Sequence, residues 1–422
     1  MTREEPSAEL KTTQYPGLST VVKFAKRLKF LIFTKNYSIE AELENLIDDC
    51  LRIADFRYHT HLYSNSENCA LKIPDIKPEY SSESQYVPGY MIINKFFDLK
   101  FGEDNRFLAF GEDVGFIGDV NQGFAGLQEK YGIERVFDTG IREWTIMGEA
   151  IGLAMRGFRP IAEIQYLDYL IYGHSPLSDD LATLRYRSGG IQKAPAIIRT
   201  RGHRLEGIWH AGSPMGMLVN SLKGMYILTP RNMTQAAGMY NTIMRSDDPA
   251  LVVECLNGYR LREKMPSNLG EYTVPVGKID TILEGDDITL VSYGSMIREC
   301  MDACHILKTM HISVELIDIQ SLIPFDIEHE ILDSIKKTNK LVIADEDVPG
   351  GASAYILQKI LEDQSGFEYL DHDPVTITAY DHRPPYGNDG DYFSKPNPEN
   401  IVEKIYKLMY DYNPKKYPKM NN

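Results

Sequence analysis

The sequence predicts an α/β protein of two parallel-sheet domains behind a short helical N-terminal extension, and three observations carry that prediction. Short apolar runs of strand length alternate along most of the chain with stretches of helical periodicity, as in successive β-α units. Gly and Asp stop two of those runs in turns rich in carboxylates, Phe110-Gly111-Glu112-Asp113-Val114-Gly115 and Phe137-Asp138-Thr139-Gly140-Ile141-Arg142-Glu143. A connector carrying Pro266, Ser267, Asn268 and Gly270 then divides the alternation in two.

Residues 18 to 35 read as a basic amphipathic helix, with Val21, Val22, Phe24, Ala25, Leu28 and Leu31 set among Lys23, Lys26, Arg27 and Lys29. Such a face could dock on lipid. Packing on protein is the better reading, because Ser38 to Ala54 follows with Ile39, Leu43, Leu46, Ile47, Cys50 and Leu51 on one face behind a Ser38 N-cap. A polar linker, Ser64 to Gln85, completes an extension over residues 1–85. In the first domain, residues 86–275, strands are expected at Phe107–Phe110, Pro160–Gln165, Ala196–Arg199, Tyr226–Leu228 and Leu251–Glu254. Helices are expected between them at Met91–Phe101, Trp144–Met155, Leu177–Tyr186 and Thr234–Met244, the second of these buried and rich in small residues. The connector spans Leu256 to Val276. The second domain, residues 276–417, repeats the pattern with strands at Ile288–Tyr293, Ser313–Ile319, Lys340–Asp345 and Val375–Ala379, and helices at Arg298–Thr309, His329–Lys337, Ala354–Glu362 and Glu399–Tyr410.

Composition narrows the function classes. With 45 basic and 60 acidic residues the net charge is −15, which argues against nucleic acid or an anionic membrane surface as a partner. The five cysteines are few, odd in number and not at framework spacing, which fits a reducing cytoplasm. Cys300, Cys304 and His305 share a helical pattern, but no second ligand cluster completes a tetrahedral metal site, so two buried thiols and a rim histidine are expected. The N-terminus carries charges without a signal-peptide pattern, and Phe30 to Thr34 falls far short of the roughly 20 apolar residues of a spanning helix.

The chemistry lies in the two carboxylate turns. Ligands in open α/β sheets sit beyond the carboxyl ends of the strands, so Glu112 and Glu143 are expected to project from rigid elements towards that crevice. Spacing alone favours an acid solvated in a first helical turn at Glu143, and at Glu112 it equally allows a turn whose acids cap backbone amides.

These segments, with Arg159-Pro-Ile-Ala-Glu-Ile-Gln165-Tyr-Leu-Asp-Tyr169, Leu184-Arg-Tyr-Arg-Ser-Gly-Gly190, His210, Asp248-Pro-Ala-Leu-Val-Val-Glu254 and Asp345-Glu-Asp-Val-Pro-Gly-Gly351, resemble one family in order and spacing. It is the β subunit of the thiamine-diphosphate-dependent 2-oxo acid dehydrogenases, the E1 component, within the transketolase-like group. The match runs from about Gly89 to about Met409. It implies a pyrimidine-binding domain followed by a transketolase C-terminal domain, and an enzyme that oxidatively decarboxylates a 2-oxo acid and passes the acyl group to the lipoyl group of an E2 core.

By the same resemblance Glu143 hydrogen-bonds the cofactor's ring nitrogen N1′, its pKa raised by burial. Glu112 relays protons nearby. Gln165, Tyr166 and Tyr169 enclose the pyrimidine, Tyr169 the better candidate of the two aromatics, for Tyr166 could equally be core. His210 supports acyl transfer, although the family's HSQ-like motif reads His210-Ala211-Gly212 here and His203 could substitute. The Gly-Asp-Gly turn that holds Mg²⁺ on the diphosphate is missing; Gly118-Asp-Val-Asn121 reads as a loop, and Gly350-Gly351 as a tight turn. An α-type subunit or fused half is therefore implied, carrying most of the Mg²⁺ site, with a β–β homodimer contact and a structural K⁺ near Leu184–Gly190. Branched-chain 2-oxo acids and pyruvate are the implied substrates, the former preferred on Tyr169, Met215 and Met217 as channel lining. The competing readings are half of a transketolase-like sugar enzyme, and a non-catalytic scaffold or fragment.

Overall fold

The computed structural model describes residues 16–34, 41–202, 212–385 and 388–419, and the chain divides into two compact units, one ending at Leu62 and the other beginning at Tyr63. In the first unit the helices Leu18–Thr34 and Ala41–Tyr58 pack on each other, burying Ala25, Ile47 and Cys50, with an ion pair between Lys29 and Glu44 at 3.0 Å. Phe30, Phe33 and Phe56 remain exposed. The expected cap, Ser38, lies outside the described residues.

From Tyr63 onward the chain is strapped to the larger unit. The Tyr63 ring stacks on Tyr226 with centroids 5.1 Å apart, the Ser64 amide donates to Asp248 Oδ1 at 2.9 Å, and the Ile76 amide donates to Thr273 Oγ1 at 2.9 Å. The polar residues read from sequence as a linker thus hydrogen-bond across the body.

The first sheet has seven strands in the spatial order Ser321–Ile323, Tyr226–Leu228, Ala250–Cys255, Ile197–Gly202, Arg159–Ile164, Phe107–Gly111 and Val136–Asp138. All pairs are parallel except the first. Its central strands are buried along their whole length; Phe107–Gly111 is apolar throughout, whereas the other three carry the buried Glu163, Arg199, Arg201 and Glu254 among apolar residues. One face carries the helices Gly89–Glu103 and Met233–Met244, which contribute Ile92, Phe96, Phe97 and Tyr240 to a core cluster. The other carries Glu143–Met155 and the helices after Tyr169, and its core continues into the second domain through Tyr293, Ile317, Ile343 and Ile356.

The second domain holds a five-stranded sheet ordered Val375–Ile377, Leu341–Ala344, Ile288–Ser292, Val314–Asp318 and Asp280–Leu283. The last strand is an antiparallel edge that the apolar-run criterion did not find, because its residues are only partly buried. Helices Met296–Thr309 and Pro398–Tyr412 cover one face. Cys300 and Cys304 are buried there, and burial pushes the Cys304 thiol up to about 12. Among the described residues no group of three metal-ligating side chains comes together, and no helix is long and apolar enough to cross a membrane.

Three expectations need correction. The helix expected over Leu177–Tyr186 is a wider π turn at Pro176–Leu181 followed by the short helix Leu184–Arg187, with a further helix, Leu170–Ser175, before it. Pro176 has no N–H to give and crowds the preceding carbonyl, so the regular ladder breaks there. The helix Glu143–Met155 is buried on one face only, through Ile146, Met147, Ala150 and Ala154; Trp144, Gly148, Gly152 and Met155 form an exposed stripe opposite. Met215 is fully buried and so lines no channel, while Met217 is partly buried against the same core.

Candidate functional site

Register decides where the carboxylates go. Gly111 lies abreast of Asp138 on one side and of Glu163 on the other, so Glu112 and Gln165 leave the sheet at the same carboxyl rim. After Phe107–Gly111 the chain builds outward to Val136–Asp138, then crosses back to lay Arg159–Ile164 on the opposite side. This reversal is a topological switch point, where parallel sheets open a crevice for ligands.

A cleft of about 830 Å³ opens at that point, lined by Glu112, Ile141, Arg142, Glu143, Trp144, Gln165, Tyr169 and Tyr172. Four residues expected from sequence therefore meet in one place: Glu112, Glu143, Gln165 and Tyr169. Tyr166 does not line it. Its ring stands edge-on to Tyr169, centroids 5.6 Å apart, and packs against the core behind. His210 and His203 lie outside the described residues.

Asp138 ties the two turns together. Its carboxylate accepts the amides of Gly115 at 2.7 Å and Phe116 at 3.0 Å, and the Thr139 amide donates to the Gly111 carbonyl at 3.0 Å. Gly115 leaves no room for a Cβ, which would stand 2.8 Å from the Asp138 amide nitrogen. Asp113 holds a left-handed backbone at φ 60° and accepts the Gln165 side-chain amide at 2.9 Å, which aims Gln165 across the rim. Glu143 is the first residue of its helix, whose closely packed neighbour needs a glycine: a Cβ on Gly173 would stand 2.9 Å from Met147 Cγ.

The electrostatics follow from crowding acids in a half-buried cleft. Burial, then repulsion from Glu143 and Asp113, raises the Glu112 carboxyl above the usual range. The Tyr169 hydroxyl is raised by burial and by Tyr166, Glu112 and Glu143 around it. Glu112 therefore holds a proton more readily than an ordinary glutamate.

Beneath the rim lies a charged cluster that sequence reading missed. Arg199 donates to Glu254 at 2.9 Å, to Asp119 at 2.7 Å, to Tyr259 at 2.8 Å and to Glu163. Arg201 pairs with Asp119 at 3.1 Å and Glu163 at 2.6 Å, and donates to the Gln165 carbonyl at 3.0 Å. All five charged side chains are fully buried. Burial pushes Glu163 up to about 7 against the pull of the two guanidinium groups. Alternating Arg199 and Arg201 in an otherwise apolar strand was the available signal; the loop reading of Gly118–Asn121 hid their partner Asp119.

A doubly wound sheet joined to a smaller α/β domain, with acids at the switch-point cleft, defines a transketolase-type protein. Residues 91–260 match the transketolase pyrimidine-binding domain and residues 277–401 the transketolase C-terminal domain. The chain is 35% identical over 319 residues to the pyruvate dehydrogenase E1 component subunit beta of Acholeplasma laidlawii, covering 75% of this chain and 96% of that protein. It is 32% identical over 328 residues to the mitochondrial 2-oxoisovalerate dehydrogenase subunit beta of Dictyostelium discoideum, covering 75% and 86%. A solved split-gene transketolase, an inactive β4 tetramer, superposes with a TM-score of 0.61 at 19% identity, over 76% of this chain and 98% of that one, and bears on the fold alone. The chain belongs to the β subunits of the thiamine-diphosphate-dependent 2-oxo acid dehydrogenase E1 components.

Proposed function

We propose that this chain, with an α-type subunit or half, decarboxylates pyruvate or a branched-chain 2-oxo acid on thiamine diphosphate and delivers the acyl group to a lipoyl domain of an E2 core. The observation that carries this reading is the meeting of Glu112, Glu143, Gln165 and Tyr169 in one cleft at the switch point. Relatives named for pyruvate and for 2-oxoisovalerate are similarly distant, at 35% and 32% identity, so the substrate is given as the pair.

The cleft suits an aminopyrimidine. It has an apolar wall in Ile141, Trp144, Tyr169 and Tyr172, and two carboxylates that can hold or exchange a proton at a ring nitrogen. When bound, thiamine diphosphate supplies a carbanion that adds to the 2-oxo carbon and accepts the electrons left by CO₂. Glu143 exchanges the proton at N1′, and Glu112, raised by its neighbours, stores or relays one. Tyr169 and Gln165 orient the ring, Gln165 being held by Asp113. In acyl transfer one lipoyl sulfur takes the acyl carbon, the S–S bond breaks with the two electrons released by decarboxylation, and the other sulfur takes a proton, for which His210 is the proposed donor.

The exposed stripe Trp144, Gly148, Gly152 and Met155, beside Ile141 at 84% exposure, supports a partner at the cleft's open side. Mg²⁺ is assigned mainly to the α-type partner, a β–β contact completes the assembly, and a structural K⁺ belongs near Leu184–Gly190. The test is 2-oxo acid-dependent reduction of an artificial electron acceptor, with thiamine diphosphate and Mg²⁺, by the chain alone, with an α-type subunit, and as Glu143→Gln. Activity is expected only in the mixture and should fall by about 10²- to 10⁴-fold in the variant. Full activity in the variant would remove Glu143 from the chemistry.

A further inference from the structure

Arg201 lies beneath the rim of the cleft, and the contacts that lead away from it return to it as a closed ring. From Nη1 it donates to the Gln165 carbonyl at 3.0 Å. The Gln165 side-chain amide donates to Asp113 Oδ2 at 2.9 Å, the Asp113 carbonyl accepts the Asp119 amide at 2.7 Å, and the Asp119 carboxylate pairs with Arg201 Nη2 at 3.1 Å. Gln165 and Asp113 stand at the rim, where Gln165 lines the cleft and Asp113 directly follows Glu112. Arg201 and Asp119 are fully buried and do not line it.

Stability does not explain this arrangement. Burying charges costs about as much as pairing them returns, and an apolar cluster of equal volume would hold the sheet as well. What a guanidinium supplies is direction, because its planar fork fixes the angle between the groups it binds. The loop it reaches needs fixing: Asp113, Asp119 and Gln122 hold left-handed backbone at φ 60°, 70° and 66°, none of them glycine. Such conformations persist where the surroundings over-determine them. Asp119 is held in that way, for besides Arg201 its carboxylate accepts from Arg199 at 2.7 Å and from the Gly123 amide at 3.0 Å. A Cβ on Gly123 would stand 2.8 Å from Asp119 Oδ2, so the loop closes on the carboxylate without slack.

We propose that Arg201 is a positioning residue for the cofactor cleft: from beneath, it joins the strand end at Gln165 to the Asp119 loop, and so sets the direction of the Gln165 side chain and the place of the Glu112–Asp113 turn. This role rests on the cleft being the pyrimidine site proposed above, and deepens it. Arg201 acts through Gln165 and Asp113 and does not itself touch the ligand.

The experiment measures the affinity for thiamine diphosphate, with Mg²⁺, by calorimetry on the chain assembled with its α-type subunit. Arg201→Lys keeps the buried charge and loses the fork, and is expected to bind the cofactor about tenfold more weakly than wild type. Gln165→Ala alone should weaken binding to a similar degree, and in that background Arg201→Lys should cost nothing further. Tyr259→Phe removes a hydroxyl outside the ring, to which Arg201 Nε donates at 3.2 Å, and should leave the affinity within about twofold of wild type. Asp119→Asn removes the partner charge and keeps the amide donated to Asp113; it should match Arg201→Lys and decides if Arg201→Lys fails to assemble. Wild-type affinity in the deciding variant, an equal loss in Tyr259→Phe, or a full further loss on top of Gln165→Ala would overturn the positioning role. If Gln165→Ala itself binds as wild type does, the role of Gln165 falls and that of Arg201 with it. If the wild-type assembly binds no thiamine diphosphate, the reading of the cleft falls first and the positioning role falls with it.

Discussion

Glu112 and Glu143 stand in one cleft, and the charge of the second is one cause of the raised proton affinity of the first. Replacing Glu143 with Gln removes that repulsion and leaves the burial, so the Glu112 carboxyl should titrate lower than in wild type while staying above an ordinary glutamate. Carboxyl ¹³C shifts in glutamate-labelled protein follow this directly; an unchanged midpoint would mean that the two acids do not sense each other. Asp347 offers a second titration. Burial, with Asp345 beside it, pushes its carboxyl from 3.8 up to about 6. The folded chain then binds the proton more tightly than the unfolded chain, so this contribution to stability is complete below about pH 4 and lost as pH rises through about 6. Urea unfolding of wild type against Asp347→Asn should show the wild type losing up to about 3 kcal/mol relative to the variant between pH 4 and pH 7. A difference that does not change with pH would contradict it.

At the scale of elements, what the sequence revealed and what it hid divide along a physical line. Strands such as Phe107–Gly111 and Tyr226–Leu228 were legible because burial on both faces leaves a plain apolar run. The edge strand Asp280–Leu283 was not, since partial burial gives no such run, and the π turn Pro176–Leu181 shows no mark in a periodicity that reads as plain helix. Glu112, Glu143, Gln165 and Tyr169 could be named in advance because the family resemblance falls on the turns and strand end that carry them; spacing alone left the two acids open to structural readings. Asp119, Asp138 and Asp168 could not, because their partners, Arg199, Gly115 and Gly212, are brought to them only by sheet register and loop path. The glycines carry the matching lesson. Gly216 and Gly351 start two helical segments, Met215–Ser221 and Ala352–Gln358, that approach backbone to backbone across the domain boundary. Gly216→Ala forces a shift there, and a loss of about 1–3 kcal/mol is expected in chemical denaturation. Wild-type stability in that variant would show that the contact yields freely.

For the whole molecule, the proposed association surface bears on the electrostatics of the cleft. The cleft is walled on one side by Ile141, Trp144 and Tyr172, all substantially exposed in the single chain, with Trp144 at 52%. A partner that covers these residues also excludes water from Glu112 and Glu143, so complex formation should raise the Glu112 pKa further, measurable by the same labelled carboxyl signals. A fall on association would indicate that the partner brings a cation to the cleft instead. The strand Ser321–Ile323 belongs by sequence to the second domain, yet it hydrogen-bonds to Tyr226–Leu228 and closes the margin of the first domain's sheet. The two family modules, residues 91–260 and 277–401, are therefore not interchangeable cassettes: a chimera joined in the connector would inherit its partner's edge strand along with its partner's domain. A first domain expressed by itself would present an unsatisfied backbone margin to the next copy and polymerise there.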